Sequence, residues 1–347
     1  MTYDRRRFLQ FMTAGFGLSI AAGCGQSPTP ISTEPSPGAN GETPASSLAS
    51  LGIGGSPILL TIPLAYLLEN SKVPEAIADV EFFPTRNHEQ MKALLTSGQG
   101  QISANPTILT AGLYRQQVPV QLLSVMIWGN LSLLAPEGAI ASWEDLRGKT
   151  VLIPFKGGLP EMMFRFLATQ AGLQPDQDLT IQSTQDFQSN AQLLLAGQGD
   201  AGVFSEPHAS NVVTKAQEQN MAIAYSLDFK QSWGEATNQP PRYPQAGIAI
   251  LSSVAENHPD VVDLVQTELQ NSLTWIQENP TAAAELGAKY MDTPAAIIEQ
   301  SFQANLFEYV AAAEAKPELE VYYQSLMQVN PKLMGGQLPD AGFYVGG

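Results

Sequence analysis

Apolar and polar positions follow the same order twice along the chain, about a hundred residues apart. Each copy reads as a short apolar strand, a loop of Gly, Ser and Pro, an amphipathic helix, a second strand and a polar helix ending in Leu-Leu, then a Gly-bounded turn into a third strand. Gly98-Gln99-Gly100 recurs as Gly197-Gln198-Gly199, and Leu94-Leu95 recurs as Leu193-Leu194. This order predicts a right-handed β-α-β-α-β unit with a parallel sheet in each copy.

The two copies can also be aligned outside these identities. Val80-Glu81-Phe82 falls on Leu179-Thr180-Ile181. Gly54-Gly55-Ser56-Pro57 falls on Gly157-Gly158-Leu159-Pro160 once an insertion of four residues is allowed. We therefore expect an α/β fold made of two similar lobes.

Two extended crossings are expected to join these lobes. The long apolar stretch 118–135 is interrupted by Gly129-Asn130 and predicts the first crossing, and a Pro-rich turn at 239–244 predicts the second. A strand at 246–251 has no counterpart in the repeat, and we interpret it as the return of the chain to lobe one. The predicted lobes are 49–133 plus 244–347 for lobe one and 134–243 for lobe two.

After the returning strand the pattern is helical throughout. The periodicity predicts helices over 259–278, 281–290, 294–315 and 318–327, which we expect to wrap lobe one. Two crossings between two lobes form a hinge, with a cleft between the lobes. Ligands of open α/β sheets bind beyond the carboxyl ends of the strands, so this cleft is the expected binding site.

Composition and charge exclude several other functions. The 347 residues suit two domains plus an extension, and 17 Lys and Arg stand against 33 Asp and Glu. Because no basic stripe is present, a nucleic-acid partner is not expected. Cys24 is the only cysteine, which excludes a disulfide within the chain, and three histidines at unrelated spacings argue against a metal site. No cofactor is expected.

The first residues are typical of an export signal. Arg5-Arg6-Arg7-Phe8-Leu9 resembles a twin-arginine signal and precedes a moderately apolar run at 11–22 that is too short to span a bilayer. Ala21-Ala22-Gly23-Cys24 resembles a lipoprotein signal in which the cysteine is acylated after residues 1–23 are removed. The alternative is a periplasmic protein cleaved elsewhere. Residues 24–48, rich in Pro, Ser and Thr, predict a disordered tether.

Three further segments resemble one known family. They are Ser142-Trp143-Glu144-Asp145-Leu146-Arg147-Gly148-Lys149-Thr150-Val151, then Leu194-Leu195-Ala196-Gly197-Gln198-Gly199-Asp200-Ala201 with Glu206-Pro207, and Leu338-Pro339-Asp340 before Phe343-Tyr344. The likeness, over about residues 50–347, is to solute-binding proteins of bacterial ABC importers of the nitrate/sulfonate/taurine and thiamine-precursor-like group. It implies a type II periplasmic-binding fold that closes on a solute and delivers it to a membrane permease and its ATPase.

The loops that follow the predicted strands supply the candidate ligand contacts. Glycines let the backbone approach a ligand, and helix N-termini offer free N–H groups to an anionic or carbonyl-bearing solute. The alternative is a tight turn with Pro near the first helical position, which needs no ligand. The candidates of this kind are Gly54, Gly55 and Ser56 in lobe one and Phe155, Lys156, Gly157 and Gly158 in lobe two.

Polar and aromatic residues at other strand ends complete the candidate set. Asn105, Thr107 and Ser205 offer uncharged hydrogen bonds. Glu206 could bind a cation or cap the next helix, and we favour the structural role. On the first crossing, Asn130 is a polar candidate, and Trp128 is equally consistent with stacking on a ligand ring and with a place in the core. Arg86 and Lys156 could pair with an anion or be solvated surface groups.

These observations favour a lipid-anchored, extracytoplasmic solute-binding protein that is a monomer and not an enzyme. Its solute is expected to be a small organic or anionic molecule, and sulfonates, nitrate-like ions, aromatic heterocycles and amine precursors all remain open. One alternative is an enzyme on the same fold, of a pyrimidine-forming or menaquinone-pathway type. Another is a sensory or scaffold lobe without transport.

Overall fold

The structure is a computed structural model that describes residues 48–86 and 88–347. The predicted export signal, Cys24 and all of the predicted tether except Leu48 lie outside these residues. Within the described part of the chain, no helix has the length and apolar character needed to cross a bilayer.

A six-stranded mixed sheet forms the first half of the fold, with the order β11-β4-β10-β3-β1-β2. β1 pairs in parallel with β2 and β3, whereas β10 is antiparallel to both β3 and β4, and β11 is antiparallel to β4. The strands are β1 (Ser50–Gly55), β2 (Asp79–Pro84), β3 (Ile102–Pro106), β4 (Val120–Trp128), β10 (Pro244–Leu251) and β11 (Phe307–Ala311). The predicted return of the chain to the first sheet is confirmed, because β10 lies between β3 and β4.

A five-stranded sheet forms the second half, with the order β7-β6-β8-β5-β9. β6 pairs in parallel with β7 and β8, and β5 is antiparallel to both β8 and β9. The strands are β5 (Leu131–Pro136), β6 (Thr150–Pro154), β7 (Thr180–Thr184), β8 (Ala201–Ser205) and β9 (Ile223–Asp228).

Helices connect the strands and cover both sheets. In the first half they are α1 (Thr61–Glu69), α2 (Val73–Ala76), α3 (His88–Thr96) and α4 (Thr107–Arg115). In the second half they are α5 (Leu159–Gln170), α6 (Phe187–Leu195), α7 (His208–Glu218) and α8 (Phe229–Thr237). After β10 come α9 (Ser252–Asn257), α10 (Pro259–Glu278), α11 (Pro280–Tyr290), α12 (Ala295–Ser301) and α13 (Ala312–Val329). Short 3-10 turns lie at Trp143–Leu146, Phe302–Ala304, Leu333–Gly336 and Ala341–Phe343.

The internal duplication is confirmed at the level of topology. Each sheet contains three parallel strands in which the first strand of the repeat lies between the other two. Ile53 pairs with Phe82 in the first sheet and Val151 pairs with Ile181 in the second, which matches the predicted equivalence of Phe82 and Ile181. The parallel β-α-β-α-β units therefore follow the order of apolar and polar positions.

The predicted equivalence of the two glycine loops is wrong. Gly54 and Gly55 are the last residues of β1, and α1 begins only at Thr61. Gly157 and Gly158, by contrast, lie after β6 and directly before α5. The strand ends and helix starts of the two copies align without the insertion of four residues that we allowed. Aligning glycine with glycine therefore gave the wrong equivalence for this loop.

The first crossing falls at Gly129-Asn130, between β4 and β5. Gly129 has a φ of 70°, a conformation that glycine adopts without strain. Residues 131–133, which we assigned to lobe one, therefore begin a strand of the second sheet. The remaining lobe limits stay a prediction.

The expectation of helices alone after β10 is also wrong. Phe307–Ala311 is a strand on the edge of the first sheet, preceded by Asn305 in the left-handed region with a φ of 47°. This strand, with the sequence Phe-Glu-Tyr-Val-Ala, pairs with β4. The prediction of a helix over 294–315 missed it. The separate helices predicted over 294–315 and 318–327 are also wrong at their junction, since α13 continues through Pro317.

The last helix packs more widely than expected. A single apolar cluster joins side chains of β4, the second sheet, α5, α8 and α13, including Trp128, Trp233 and Tyr322. We expected the C-terminal helices to wrap lobe one, but α13 also packs on α5. The core therefore runs continuously past the crossings.

Candidate functional site

The second sheet brings the carboxyl ends of four strands to one edge. β6, β7 and β8 are parallel, and β9 runs in the same direction because both β8 and β9 are antiparallel to β5. Helices α5, α6, α7 and α8 each begin within a few residues of this edge. Such an edge is where ligands bind in open α/β sheets.

A cavity of about 540 Å³ opens at this edge, within the range of pockets that hold small molecules. One wall is formed by the first crossing, the start of β5 and the ends of β8 and β9, and the other wall is formed by residues 300–306. Its lining residues are Gly129, Asn130, Leu131, Ser132, Glu206, Ala209, Ser210, Tyr225, Ser226, Asp228, Lys230, Gln300, Gln303, Ala304 and Leu306.

Asn130 and Glu206, both predicted from the sequence, meet in this cavity. The Asn130 Oδ1 atom accepts a hydrogen bond from the Glu206 backbone N–H at 2.8 Å, and Asn130 Nδ2 donates to the Glu206 carbonyl at 3.2 Å. The Asn130 backbone N–H donates to Gln245 Oε1 at 2.6 Å. Asn130 thus ties the first crossing to the ends of both sheets.

The Glu206 carboxylate is buried and fully engaged. Its Oε1 atom accepts a hydrogen bond from the Tyr225 hydroxyl, and Oε2 accepts one from the Ser210 backbone N–H at 3.2 Å. Burial, followed by the negative charge of Glu206, raises the pKa of Tyr225 well above its usual value. The geometry matches the structural alternative that we favoured for Glu206, since it caps the first turn of α7.

Lys230 and Asp228 supply the other charges of the cavity. The Lys230 Nζ atom donates to the Ala304 carbonyl at 3.1 Å, across the cavity. Asp228 Oδ1 accepts from the Lys230 backbone N–H at 2.7 Å and so caps α8. A Cβ atom on Gly129 would lie 2.4 Å from Lys230 Cγ, so the crossing glycine leaves room for the lysine stem.

Sequence reasoning missed most of these lining residues. Asp228 could have been found, because it ends a strand and stands at an N-cap. Gln300, Gln303 and Tyr225 carried no such signal, since only the packing of distant segments brings them to one cavity.

The predicted loops of lobe one lie at the ends of β1, β2 and β3, outside the cavity lining. The Ser56 and Thr85 hydroxyl oxygens are 2.9 Å apart, and the Thr61 hydroxyl donates to the Ser56 carbonyl. Arg86 follows, exposed, with its backbone N–H donating to Gln90 Oε1 at 2.7 Å. No ion pair of the Arg86 side chain occurs within the described residues.

Four residues of the first half that we predicted as ligand contacts instead pack against, or form hydrogen bonds with, other residues of the protein. A Cβ atom on Gly54 would lie 2.7 Å from Leu94, and one on Gly55 would lie 2.7 Å from the Phe82 ring, so both are packing glycines. Asn105 is buried and donates to Ser103 Oγ at 2.7 Å. Thr107 is buried and donates to the Pro244 carbonyl at 2.7 Å. None of the four lines the cavity.

Trp128 lies in the core, the second of the two alternatives that we considered for it. It is buried, and its indole N–H donates to the Glu308 carbonyl at 2.9 Å. The Arg242 guanidinium lies 4.3 Å from the ring centroid and covers one face of the ring. We therefore omit Trp128 from the proposed ligand contacts.

The loop after β6 presents an aromatic ring and uses its own N–H groups. Phe155 is 44% exposed and has a φ of 59°. Its ring meets the Phe187 ring edge-on, with the two ring centroids 5.3 Å apart. The Gly157 N–H donates to Glu161 Oε2 at 2.7 Å, and the Gly158 N–H donates to the Phe155 carbonyl at 2.6 Å. The expected free N–H groups at Gly157 and Gly158 are therefore not available to a ligand.

The neighbouring loops add to this aromatic group. Phe187 stacks on His208 with a centroid distance of 4.6 Å. Burial lowers the pKa of His208 to about 4, against a smaller opposing effect of Asp186, so the ring is neutral at neutral pH. Lys156 is exposed and Ser205 half-buried at the end of β8, and neither lines the cavity. Their contact with a solute stays a prediction.

Two solved structures share this architecture. An ABC transporter protein from Parabacteroides distasonis superimposes with a TM-score of 0.72 at 20% identity, over 85% of this chain and 98% of that one. The periplasmic aliphatic sulphonate binding protein SsuA from Escherichia coli gives a TM-score of 0.66 at 18% identity, over 86% and 92% of the two chains. These likenesses show that the fold is the periplasmic-binding-protein fold.

The sequence itself gives the family. The profile of the ABC-transporter phosphonate periplasmic substrate-binding proteins matches residues 64–271, and the chain belongs to this family. The putative binding protein YtlA of Bacillus subtilis strain 168 is 25% identical over 141 residues, which are 38% of this chain and 42% of that protein.

Family membership fixes the general class of the protein. It is a substrate-binding component of an ABC importer, and the family is periplasmic, which puts the chain outside the cytoplasm. Its relatives are substrate-binding proteins and not enzymes. In the part of the chain that the structure describes, no group of three His, Cys, Asp or Glu side chains is placed to hold a metal ion.

Proposed function

We propose that this protein captures a small polar organic solute reversibly in the cavity at the edge of the second sheet and delivers it to a membrane permease. The observation that carries the proposal is the cavity itself. It has the volume of a small-molecule site, and Asn130 and Glu206, two members of the candidate set from the sequence, line it.

The lining supports a polar ligand. The side chains of Ser132, Ser226 and Gln303 line the cavity and form no hydrogen bond with other described residues, so their side-chain polar atoms remain available to a solute. Leu131, Ala209 and Leu306 add apolar surface. A few polar groups among apolar ones are typical of sites that hold a small molecule in one orientation.

Two hydrogen bonds between the second half of the fold and residues 300–304 provide a means of closure. Lys230 Nζ donates to the Ala304 carbonyl at 3.1 Å, and Thr214 Oγ1 donates to Gln300 Oε1 at 3.2 Å. Both connect the second half of the fold to the segment that follows α11. Because they join the two segments that form the walls of the cavity, we infer that they break when the cavity opens to admit the solute.

A ligand screen tests this proposal. Thermal unfolding of residues 48–347 is measured with a library of metabolites, because a bound solute raises stability by mass action. Binders are confirmed by calorimetric titration on native protein and on Gln303→Trp, whose indole fills the cavity mouth. We expect Gln303→Trp to weaken binding at least tenfold.

The matched control is Gln217→Trp on α7, another exposed glutamine that does not line the cavity. This variant should bind as the native protein does. Equal binding by Gln303→Trp and the native protein would place the solute elsewhere, and the absence of any binder in the library would contradict solute capture.

We also propose lipid anchoring at Cys24, a tether over 24–48, a monomeric state and the absence of enzymatic activity. The motif at 21–24 supports the anchor. Expression of native protein and Cys24→Ala in a bacterial host, followed by detergent phase separation, tests it. We expect native protein in the detergent phase and Cys24→Ala in the aqueous phase, and the same partition for both proteins would refute acylation. An adjacent permease and ATPase gene would favour transport over a sensory role.

A further inference from the structure

Each of the four helices that begin at the cavity edge of the second sheet has a carboxylate of its own at its N-terminus. Glu161 accepts the Gly157 N–H before α5 at 2.7 Å, and Asp186 accepts the Ser189 N–H of α6 at 2.7 Å. Glu206 accepts the Ser210 N–H of α7 at 3.2 Å, and Asp228 accepts the Lys230 N–H of α8 at 2.7 Å.

Each of these carboxylates takes up one backbone N–H at or just before a helix start, a group that an anionic ligand would use. Helix N-termini bind anions because their first N–H groups have no partner within the helix and carry a partial positive charge. Here that charge is already compensated by side chains of the protein. Of these four carboxylates, a sulfonate, phosphonate or nitrate ion in the cavity would meet Glu206 and Asp228, because Glu161 and Asp186 do not line it and Glu161 pairs with Arg165 at 2.7 Å.

Among the charged residues that line the cavity, acidic residues also outnumber basic ones. Glu206 and Asp228 are its acidic residues and Lys230 is its basic residue. Nearby, Lys156 lies on the same edge outside the lining, and Arg86 follows β2 of the first sheet. His208 is uncharged at neutral pH because of its burial. The lining therefore has a net negative charge.

The two acidic residues differ in what they can offer a solute. Both oxygens of Glu206 already accept hydrogen bonds. Asp228 uses Oδ1 to cap α8, and its Oδ2 atom has no hydrogen-bond partner in the described chain. The Lys230 ammonium donates to the Ala304 carbonyl and pairs with no carboxylate of the described residues. Asp228 is exposed at the cavity, and its Oδ2 atom is the carboxylate oxygen of the lining that is left to accept a hydrogen bond from a solute.

We propose that the solute carries a positively charged amine and has a net charge of zero or above, with Asp228 as the acceptor for the amine. This inference rests on the proposed function, since it assigns the solute class of the same cavity. A charge-assisted hydrogen bond from the amine to Asp228 Oδ2 would leave the helix cap on Oδ1 intact. Lys230 can then contact a carbonyl or carboxylate of the same solute.

Asp228→Asn and Asp186→Asn form a matched pair of variants for the test. Both replace an N-cap aspartate with asparagine, which caps helices equally well, but only Asp228 lines the cavity. Affinities are measured by calorimetry for compounds that the library screen identifies. They are also measured for two probe pairs, ethanesulfonate with taurine and ethylphosphonate with 2-aminoethylphosphonate.

We expect the library binders to be cationic or zwitterionic amines and Asp228→Asn to weaken them at least tenfold, with Asp186→Asn within twofold of the native protein. In each probe pair, the amine-bearing member should bind more tightly. Tighter binding of the simple anions, or equal affinities of Asp228→Asn and the native protein, would overturn the inference. Solute capture would still stand in that case if Gln303→Trp weakens binding at least tenfold. If no compound binds, the proposed function fails and the inference fails with it.

Discussion

Arg242 joins the two crossings of the chain, and replacing it with alanine should destabilise the fold measurably. Its guanidinium pairs with Glu308 on β11 and with Glu318 on α13, both at 2.6 Å, and covers the Trp128 ring at 4.3 Å. Arg242 precedes β10 on the second crossing, and Trp128 ends β4 on the first. One side chain therefore links both crossings to an edge strand and to the C-terminal helix.

The magnitude follows from how exposed each partner is. The Glu308 side chain is 52% exposed, so its pair contributes about 0.5 kcal/mol, whereas Glu318 is 25% exposed and its bidentate pair contributes about 1 kcal/mol. The contact with the Trp128 face adds about 0.5–1 kcal/mol. The total is about 2 kcal/mol, which corresponds to a fall in Tm of about 4 °C for a chain of this size. Arg242→Lys keeps the charge but loses the planar contacts, and should cost about half as much.

Thermal and urea unfolding of residues 48–347 measure this effect. Lys149→Ala is the control, because Lys149 and Asp200 are 3.7 Å apart and both are more than 40% exposed, so its cost should stay below about 0.5 kcal/mol. The reasoning would be refuted if Arg242→Ala unfolded within 1 °C of the native protein, roughly the effect expected of an exposed pair. It would also be refuted if Arg242→Lys were as destabilising as Arg242→Ala.

Two further predictions concern packing and pH. A Cβ atom on Gly247 would lie 2.0 Å from the Ser124 carbonyl oxygen, so Gly247→Ala should lower the free energy of unfolding in urea by ~3 kcal/mol or more. Gly112 lies inside α4 with open space around it, so Gly112→Ala should raise that free energy by about 0.5–1 kcal/mol. Equal effects of the two substitutions would contradict the packing argument. The pKa of His208 is lowered to about 4 from 6.5, so the unfolded chain binds a proton more readily and stability falls as the pH drops from 6.5 to 4, by at most about 3 kcal/mol. His208→Gln should therefore lose less stability than the native protein between pH 7 and pH 4.5, and an unchanged loss would rule out His208 as the cause.

Some of the candidate site could be predicted because its residues stand at strand ends. Asn130 and Glu206 were found by position alone, one at a break in a long apolar run and the other after a strand. The same rule selected Asn105 and Thr107, whose side chains turn out to be occupied within the core. Position in the chain reveals which edge a residue belongs to, but the direction and the partners of its side chain depend on packing.

The sequence by itself determined the duplicated β-α-β-α-β order, the place of the first crossing and the acidic balance of charges, because hydrophobic periodicity and composition are local properties of the chain. Tertiary structure alone decided that 307–311 is a strand, that α13 packs across both halves and that Gln300, Gln303 and Lys230 meet at one cavity. These features depend on contacts between segments far apart in the chain. Such contacts form only when the whole fold buries its apolar surface, and no short pattern records them.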